Sequence, residues 1–446
     1  MDSSSSTVPH ATRPDGFDGE HDARVRAALT YAYLSIPFYA KKRPAPDGET
    51  LTSVPLLWKH QIRPTLPKEW VPEGRDVRAE LASGEIELVE TSGSTSERTR
   101  ILWDKGWWLH QEERGMRTNA VIDRAMGDVA RYHEAILTTP VCGLGSCHSG
   151  EMTFEERTDE HRLFLNSRAD PTFWKPSDVT RMLDELTRHK TSGLESDPTY
   201  LATLARQAKA AGRSVDVADF VTLTYAMTSA AHLRAIKEAV AAPVFQLYGA
   251  SEVGVLFMQG EDGLLHHCPK TTHVELLPVK VATPGAEDVA LVVVTTLDRK
   301  VQPLVRFVVG DLVRVARRGP RRFTPVAPIV SPEGRVQDAI VRPDGAWVTS
   351  GAFDRAIAAH PGVAFYQANQ PDSTSVVVDV VADATATASL AAEVRERLLP
   401  LLSPLEVTVR LATGIAAESS GKFRLVRRHF TVDLGALVDE GAGVSA

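Results

Sequence analysis

Hydrophobic and polar positions change their rhythm twice along this chain. Over residues 22–39 the apolar side chains Val25, Leu29, Tyr33 and Ile36 recur every three or four positions, which predicts an amphipathic helix ended by Pro37. Residues 54–59 read as an apolar turn running into a polar segment, 85–90 as a short strand, and 105–126 as a helix rich in Trp, Glu and Arg. Strand and helix then alternate. Strands are predicted at 135–139, 220–227 and 244–248, and helices at 178–190, 198–211 and 232–240. Such alternation with short connections implies parallel α/β layers.

From residue 273 the texture becomes short β-branched runs at 273–278, 289–296, 304–309 and 312–316, separated by turns. Residues 328–338, with a turn at Ser331-Pro332-Glu333-Gly334, read as a boundary. Beyond it a helix at 354–359, a strand at 375–381, a helix at 389–402 and a strand at 407–411 suggest a small α+β unit. A chain of 446 residues exceeds one ordinary core. The expected fold class is therefore α/β: a disordered leader over 1–16, a large N-terminal domain over 17–336 of layered α/β subdomains plus a β-rich subdomain, and a small α+β C-terminal domain over 337–446. No internal repeat is visible.

Composition narrows the partners. A formal charge of −7 and a pI near 6.1 lack the basic excess of a nucleic-acid binder. No run approaches the roughly 20 apolar residues of a membrane span, and the Ser-, Pro- and Asp-rich start lacks the apolar centre of a signal peptide. Three cysteines, Cys142, Cys147 and Cys268, make an odd and sparse set that points to a reducing, cytoplasmic setting. With His266 and His267 they can be drawn as a zinc site, but no Cys-x₂-Cys pair supports it. A Cys–His nucleophile in the 142–148 loop has no orienting motif.

Four stretches carry candidate chemistry. Thr91-Ser92-Gly93-Ser94-Thr95-Ser96 follows a predicted strand. A loop so rich in hydroxyls and glycine lets backbone N–H groups converge on phosphate oxygens, although no Walker Gly-Lys-Ser/Thr follows. Tyr248-Gly249-Ala250-Ser251-Glu252 ends another strand, where open α/β sheets bind ligands. There Tyr248 can stack on a base, Ser251 can bond a phosphate, and Glu252 can hold Mg²⁺ through oxygen. Asp311, in a Gly-Asp turn between two strands, can take both hydroxyls of a ribose. Lys422, after Ser420-Gly421, is a compact cation suited to the charge that builds when a carboxylate attacks phosphorus. Singly, each is equally a surface turn, a hairpin, or a solvated basic run with Arg424, Arg427 and Arg428. In this order they supply what is needed to hold ATP and join its α-phosphate to a carboxylate.

The four stretches together resemble the adenylate-forming superfamily, and within it the phenylacetate-CoA ligase branch. Val54-Pro55-Leu56-Leu57-Trp58-Lys59 is similar to that branch's "LP-x-x-x-K" segment, and Asp197-Pro198-Thr199-Tyr200-Leu201 to its "PSYL" helix start. Val294-Thr295-Thr296-Leu297 through Pro303-Leu304-Val305-Arg306-Phe307 resembles its "VTTL…PLIRY" strand pair, and Gly334-Arg335-Val336-Gln337-Asp338 its "GRxDD" hinge. The likeness runs over roughly residues 25–430. It implies an ATP-dependent acid ligase that forms an acyl-adenylate, releases pyrophosphate and passes the acyl group to an acceptor, by default coenzyme A. It also implies that Thr91, Ser92, Gly93, Ser94 and Thr95 cradle phosphates, with Tyr248, Gly249, Ala250 and Ser251 at the nucleotide. Asp311 would hold ribose, Arg335 ribose or phosphate, Glu252 Mg²⁺, and Lys422 the carboxylate and phosphate oxygens. Gln337 would be the hinge about which the small domain turns between half-reactions.

This sequence departs from the family where acid and acceptor would sit. Ser96 and Glu97 replace the usual second Gly and Lys of the first loop, Gln337 replaces an acidic hinge residue, and the Glu near Met227-Thr228-Ser229 is absent. The loop from Cys142 to Cys147 lacks the aromatic glycine-rich pattern. Pocket candidates are Cys142, Gly143, Ser146, Tyr225, Met227, Thr228 and Phe257, mostly small or neutral, which suits a compact, moderately polar acid, and the resemblance implies a small aromatic one. The acceptor stays open between coenzyme A, an amine and a carrier-protein thiol, and a nucleotide-binding homologue without turnover is a further alternative. Oligomeric state stays open, a homodimer included.

Overall fold

The structure, a computed structural model, describes residues 19–41, 51, 54–90, 99–140, 152–166, 168, 170–316, 327–432 and 437–438. Helix α1 (Gly19–Ser35) buries Val25, Leu29, Ala32 and Tyr33 along one side. Helix α2 (Pro37–Ala40) then starts on Pro37, whose missing N–H costs nothing in a first turn. Helices α3 (Lys59–Ile62) and α4 (Val77–Ser83) lead to the antiparallel pair β1 (Ile86–Glu90) and β2 (Arg100–Asp104). The helix expected over 105–126 is two, α5 (Trp107–Met116) and α6 (Ala120–Gly127). Asn119 separates them: its side chain accepts the N–H groups of Val121 at 2.9 Å and Ile122 at 3.1 Å, a cap that starts a new helix.

The alternating region follows as β3 (Glu134–Leu137), β4 (Thr158–Asp159), β5 (Arg162–Phe164), α7 (Pro176–His189), β6 (Gly193–Ser196), α8 (Pro198–Ala210), β7 (Phe220–Leu223), α9 (Ala230–Ala239) and β8 (Val244–Ala250). Strands β5, β3, β6, β7 and β8 lie side by side and parallel, as the alternation implied. Strand β7 stops short of the expected 227 because Tyr225 adopts φ +69°, outside the extended region.

The same sheet continues through β9 (Gly254–Gln259), β10 (Leu265–His267), β11 (Thr272–Pro278), β12 (Val289–Thr296), β13 (Phe307–Val315) and β14 (Ile329–Arg335). Beyond β8 the strand order is β9-β10-β14-β13-β12-β11, which brings the sheet to twelve strands. Two expectations fail here. The strands read at 304–309 and 312–316 are one strand, β13, and Gly310-Asp311 is no hairpin. Gly310 takes φ +91°, and residues 309–311 stand opposite Val292 alone, so the feature is a bulge. The boundary turn read at 331–334 is strand β14, paired with β13 from Asp311 opposite Arg335 onward. Its other neighbour, β10, meets it at the single pair Leu265–Ile329, so Pro332 removes no ladder bond on that side.

Strands β15 (Ile340–Val341) and β16 (Trp347–Val348) pair with each other and precede α10 (Ser350–Ile357). Then β17 (Val363–Gln370), β18 (Ser375–Ala382), α11 (Leu390–Leu402), β19 (Glu406–Ala412) and β20 (Val426–Arg428) build a second sheet in the order β19-β18-β17-β20. One buried apolar cluster runs from Leu137, Leu194 and Tyr200 under the large sheet to Phe353, Phe365 and Phe423 of the second. A separate cluster packs α1 and Trp70 against Val292, Leu304 and Phe307. Among the described residues no helix is long and apolar enough to cross a membrane.

Candidate functional site

A pocket opens where β7 and β8 end, with β13 and β14 on one side and the segment around Lys422 closing the other. Carboxyl ends of adjacent parallel strands point loops and backbone groups into one crevice, which is why sites form there. Tyr248 enters from the end of β8. Its ring stacks on Phe257 with centroids 6.0 Å apart and planes 15° apart, and its hydroxyl donates to Asp311 Oδ2 at 2.9 Å. The next residue must be glycine. A Cβ on Gly249 would lie 2.8 Å from the carbonyl oxygen of Gly254, inside the β8–β9 ladder.

Asp311 reaches the pocket because the Gly310 bulge offsets β13. Arg335 stands directly opposite it on β14, and its Nε lies 3.7 Å from Asp311 Oδ1. Burial pushes the Asp311 carboxyl up, and Arg335 works against that rise. Arg335 is held above the ordinary guanidinium range: burial favours its neutral form, but the Asp311 and Asp338 carboxylates outweigh it. The phenol, the carboxylate and the guanidinium thus form one chain of polar groups, with Asp311 and Arg335 on adjacent strands and Tyr248 reaching them from β8, which β10 and β9 separate from β14 in the sheet order.

Glu252 is 5% exposed and pairs with Lys59, Nζ to Oε1 at 2.7 Å. Burial raises its carboxyl, but the Lys59 ammonium and its hydrogen bond prevail and hold the group below the usual carboxylate range. The carbonyl of Ser251 accepts the Trp103 indole N–H at 3.0 Å, and Arg299 donates to the carbonyl of Glu252. These bonds pin the turn after Ala250.

Lys422 approaches from the opposite side. Its Nζ lies 3.1 Å from the carbonyl oxygen of Tyr225, the residue whose left-handed backbone turns that carbonyl towards the pocket. Burial lowers the Lys422 ammonium, the nearby Arg335 lowers it further, and Asp197 and Glu252 oppose both. Asp197, capping α8 through the N–H of Thr199 at 2.8 Å, is pushed up to about 6 by burial.

The structure therefore gathers Tyr248, Gly249, Asp311, Arg335, Lys422, Tyr225, Met227 and Thr228 around one pocket. Ala250, Ser251 and Glu252 follow directly on the strand that carries Tyr248. Phe257 is 1% exposed and lies behind Tyr248, in the core and not in the wall. Gln337 sits in a single turn of 3₁₀ helix after β14, and its neighbour Asp338 lines the pocket and pairs with Arg424. Thr91, Ser92, Gly93, Ser94, Thr95, Cys142, Gly143 and Ser146 lie outside the described residues.

Lys59 and the Asp338–Arg424 pair carry charge into this site and had no role assigned from sequence. Lys59 closes the Val54–Lys59 segment singled out above, so a signal existed, but nothing along the chain pairs it with a glutamate 193 positions away. Among the described residues no group of three or more His, Cys, Asp or Glu side chains could hold a metal ion. Cys268 is a core thiol, pushed up to about 12 by burial.

No family model matches this chain, and no curated protein is similar enough to be matched. Solved structures are similar throughout its length. A 2-hydroxyisobutyryl-CoA ligase in the postadenylation state, in complex with 2-HIB-AMP, superposes with a TM-score of 0.66 at 16% identity, over 95% of this chain and 94% of that one. The same ligase in an open conformation, with 2-HIB-AMP and CoA, gives 0.53 at 15% identity over 93% and 91%. The amide bond synthetase McbA from Marinactinospora thermotolerans gives 0.50 at 16% identity over 73% of this chain and 66% of that one. Shared by CoA ligases and an amide bond synthetase, this mixed α/β architecture is the adenylate-forming fold, and the chain has that fold.

Proposed function

We propose that the protein is an ATP-dependent carboxylic acid ligase. In the first half-reaction an oxygen of the acid attacks the α-phosphorus of ATP, the bond to the β-phosphate breaks, and pyrophosphate leaves. In the second, an acceptor displaces AMP from the acyl-adenylate, and coenzyme A is the default acceptor. The observation that carries this reading is the convergence of Lys422 on a pocket already lined by Tyr248, Asp311 and Arg335. Together they match a nucleotide whose α-phosphate meets a carboxylate.

Tyr248 offers its ring to adenine and orients Asp311 through its hydroxyl. Asp311 takes the ribose hydroxyls, and Arg335 neutralises ribose-side or phosphate oxygens. Lys422 holds the carboxylate and phosphate oxygens together, so its contribution is positioning and charge neutralisation at the reacting centre. The small sheet carries Lys422, and the expected hinge at Gln337 lets that sheet withdraw before the acceptor enters. Glu252 fits a Mg²⁺ ligand: it is a single hard oxygen donor kept ionised by Lys59, and Mg²⁺ is commonly held by one or two carboxylates plus water and phosphate. Bound there, the ion would supply charge neutralisation on the phosphates, and Lys59 would release or share the carboxylate.

A second reading, with an amine as acceptor, is supported by the likeness to the amide bond synthetase. Carboxylate-dependent exchange of pyrophosphate into ATP, run over a panel of small aromatic and aliphatic acids, tests the first half-reaction. Exchange above the acid-free background is the expected outcome. ATP binding without exchange across a broad panel would sink the ligase reading in favour of a nucleotide-binding homologue without turnover. Mass spectra of products formed with coenzyme A, amines or a carrier protein then separate the acceptors.

A further inference from the structure

Lys422 is not held in the cleft by its ammonium alone. The segment that carries it closes on its own backbone, with the N–H of Gly421 on the Glu418 carbonyl at 2.7 Å and the N–H of Glu418 on the Lys422 carbonyl at 2.9 Å. That turn leaves the carbonyls of Ser420 and Gly421 facing the large sheet, where two buried hydroxyls meet them. Thr139, just past β3, donates from Oγ1 to the Ser420 carbonyl at 3.0 Å. Tyr200, in the first turn of α8, donates from its hydroxyl to the Gly421 carbonyl at 2.9 Å. A third bond runs the other way: Asp170 Oδ2 accepts the N–H of Ala417 at 3.0 Å. The Tyr200 ring also meets Phe423 edge-on, centroids 6.2 Å apart and planes 72° apart.

We propose that Thr139, Tyr200 and Asp170 are a latch, three positioning residues that seat the Lys422 loop for the first half-reaction and let go for the second. The proposal rests on the adenylation reading for what the seated lysine does, but not for the latch itself. Its physical basis is the placement of the donors. All three reach backbone atoms of the loop, so they fix where the loop lies without engaging the ammonium, whose contact is the Tyr225 carbonyl. Tyr200 is fully buried and Thr139 nearly so, which makes each carbonyl they meet costly to leave without a donor unless the loop swings out to water. A latch of few, strong, local bonds releases as a unit. That suits a loop with two positions better than broad apolar packing does.

Two measurements test it on the full-length protein. Acetic anhydride labelling, read by mass spectrometry, compares Lys422 with Lys209, an exposed surface lysine with 64% of its side chain accessible. In the unaltered protein Lys422 is expected to label more slowly than Lys209. In Tyr200→Phe that protection is expected to fall about threefold to tenfold, the scale of one net hydrogen bond, and further in Thr139→Val with Tyr200→Phe. An unchanged Lys422-to-Lys209 ratio in both proteins overturns the latch. Thr139→Val alone, near-isosteric, serves if the tyrosine variant does not fold.

The second measurement is pyrophosphate exchange with benzoate, phenylacetate and 2-hydroxyisobutyrate as probe acids. With whichever acid supports exchange, Tyr200→Phe is expected to lower kcat by a similar factor at unchanged KM for ATP. Consumption of the synthetic adenylate of that acid is expected to fall far less. A shift in KM alone, or equal losses in both steps, would mean a general structural role and would overturn the proposal. If the unaltered protein gives no exchange with these probes or across the broad acid panel, the ligase reading fails, and the labelling ratio still decides the latch.

Discussion

The two faces of the pocket are built differently. The proposed nucleotide face consists of side chains from one sheet: Asp311 on β13 and Arg335 on the adjacent β14, joined by Tyr248 from β8, all linked to one another and backed by Phe257. Ladder bonds and a buried core fix their spacing before any ligand arrives. The lysine face is a turn carried by the second sheet, held to the first by three side-chain bonds to its backbone and by Lys422 on the Tyr225 carbonyl. One face is rigid by construction and the other is seated by contacts that can break. The two half-reactions proposed for this pocket are served by that division.

The sharpest way to separate the faces is Lys422→Ala. Exchange of pyrophosphate is expected to fall by about 10²–10³-fold, the scale seen when one charge-stabilising group at a reacting centre is lost. Acceptance of a synthetic acyl-adenylate should survive, and equal loss in both steps would contradict the role given to Lys422. Asp311→Ala strikes the other face. It should weaken ATP binding by about 1–3 kcal/mol, since it removes a hydrogen-bonding carboxylate and strands both Tyr248 and Arg335; titration calorimetry with ATP checks this, and an unchanged affinity removes Asp311 from the site.

The seam between the sheets should respond to acid. His232 on α9 is buried against Phe365 of β17, ring centroids 5.1 Å apart, and burial pushes it down to about 3. Because the folded state resists its protonation while the unfolded chain does not, its contribution is intact above the ordinary pKa of 6.5 and is lost as pH falls from there towards 3. The expected slope is about 1.4 kcal/mol per pH unit within that window. Thermal unfolding of His232→Phe beside the unaltered protein should show a shallower acid slope, and parallel curves would refute this.

Asp197 gives the smallest effect, with the opposite sign. Its folded pKa, pushed up to about 6, lies above the ordinary 3.8, so the ionised form carries a penalty that is full above about 6 and gone below about 4. Asp197→Asn keeps the helix cap and should raise stability at pH 7.5 by roughly 1–2 kcal/mol. That gain should close as the pH falls through 6 to 4, and a constant offset would assign it to something other than the carboxyl.

Much of the architecture was legible because it is periodic. Strands β7 and β8 and helices α7 to α9 stand in the order read from the sequence, and α7, α8 and α9 lie within two residues of where the apolar spacing put them. Strands β6, β9, β10 and β17 are among those that were not read. Gly254–Gln259 is buried almost throughout and Val363–Gln370 nearly so, so neither shows the polar alternation that marks a half-exposed strand. The bulge at Gly310 looked like a hairpin because glycine followed by aspartate serves both, and only the neighbouring strands distinguish them.

By itself the sequence determined the α/β class, the order of the motifs and the identity of the groups that could meet a nucleotide, because those properties are local or run in chain order. Tertiary structure alone decided which of them meet. It set Arg335 opposite Asp311, brought Lys59 to Glu252, turned the Tyr225 carbonyl towards Lys422, and laid Thr139 and Tyr200 against the lysine loop. Those pairings span strands and sheets far apart in the chain. Their strength depends on the low-dielectric surroundings that only the packed strands create around both partners, and no single segment carries that information.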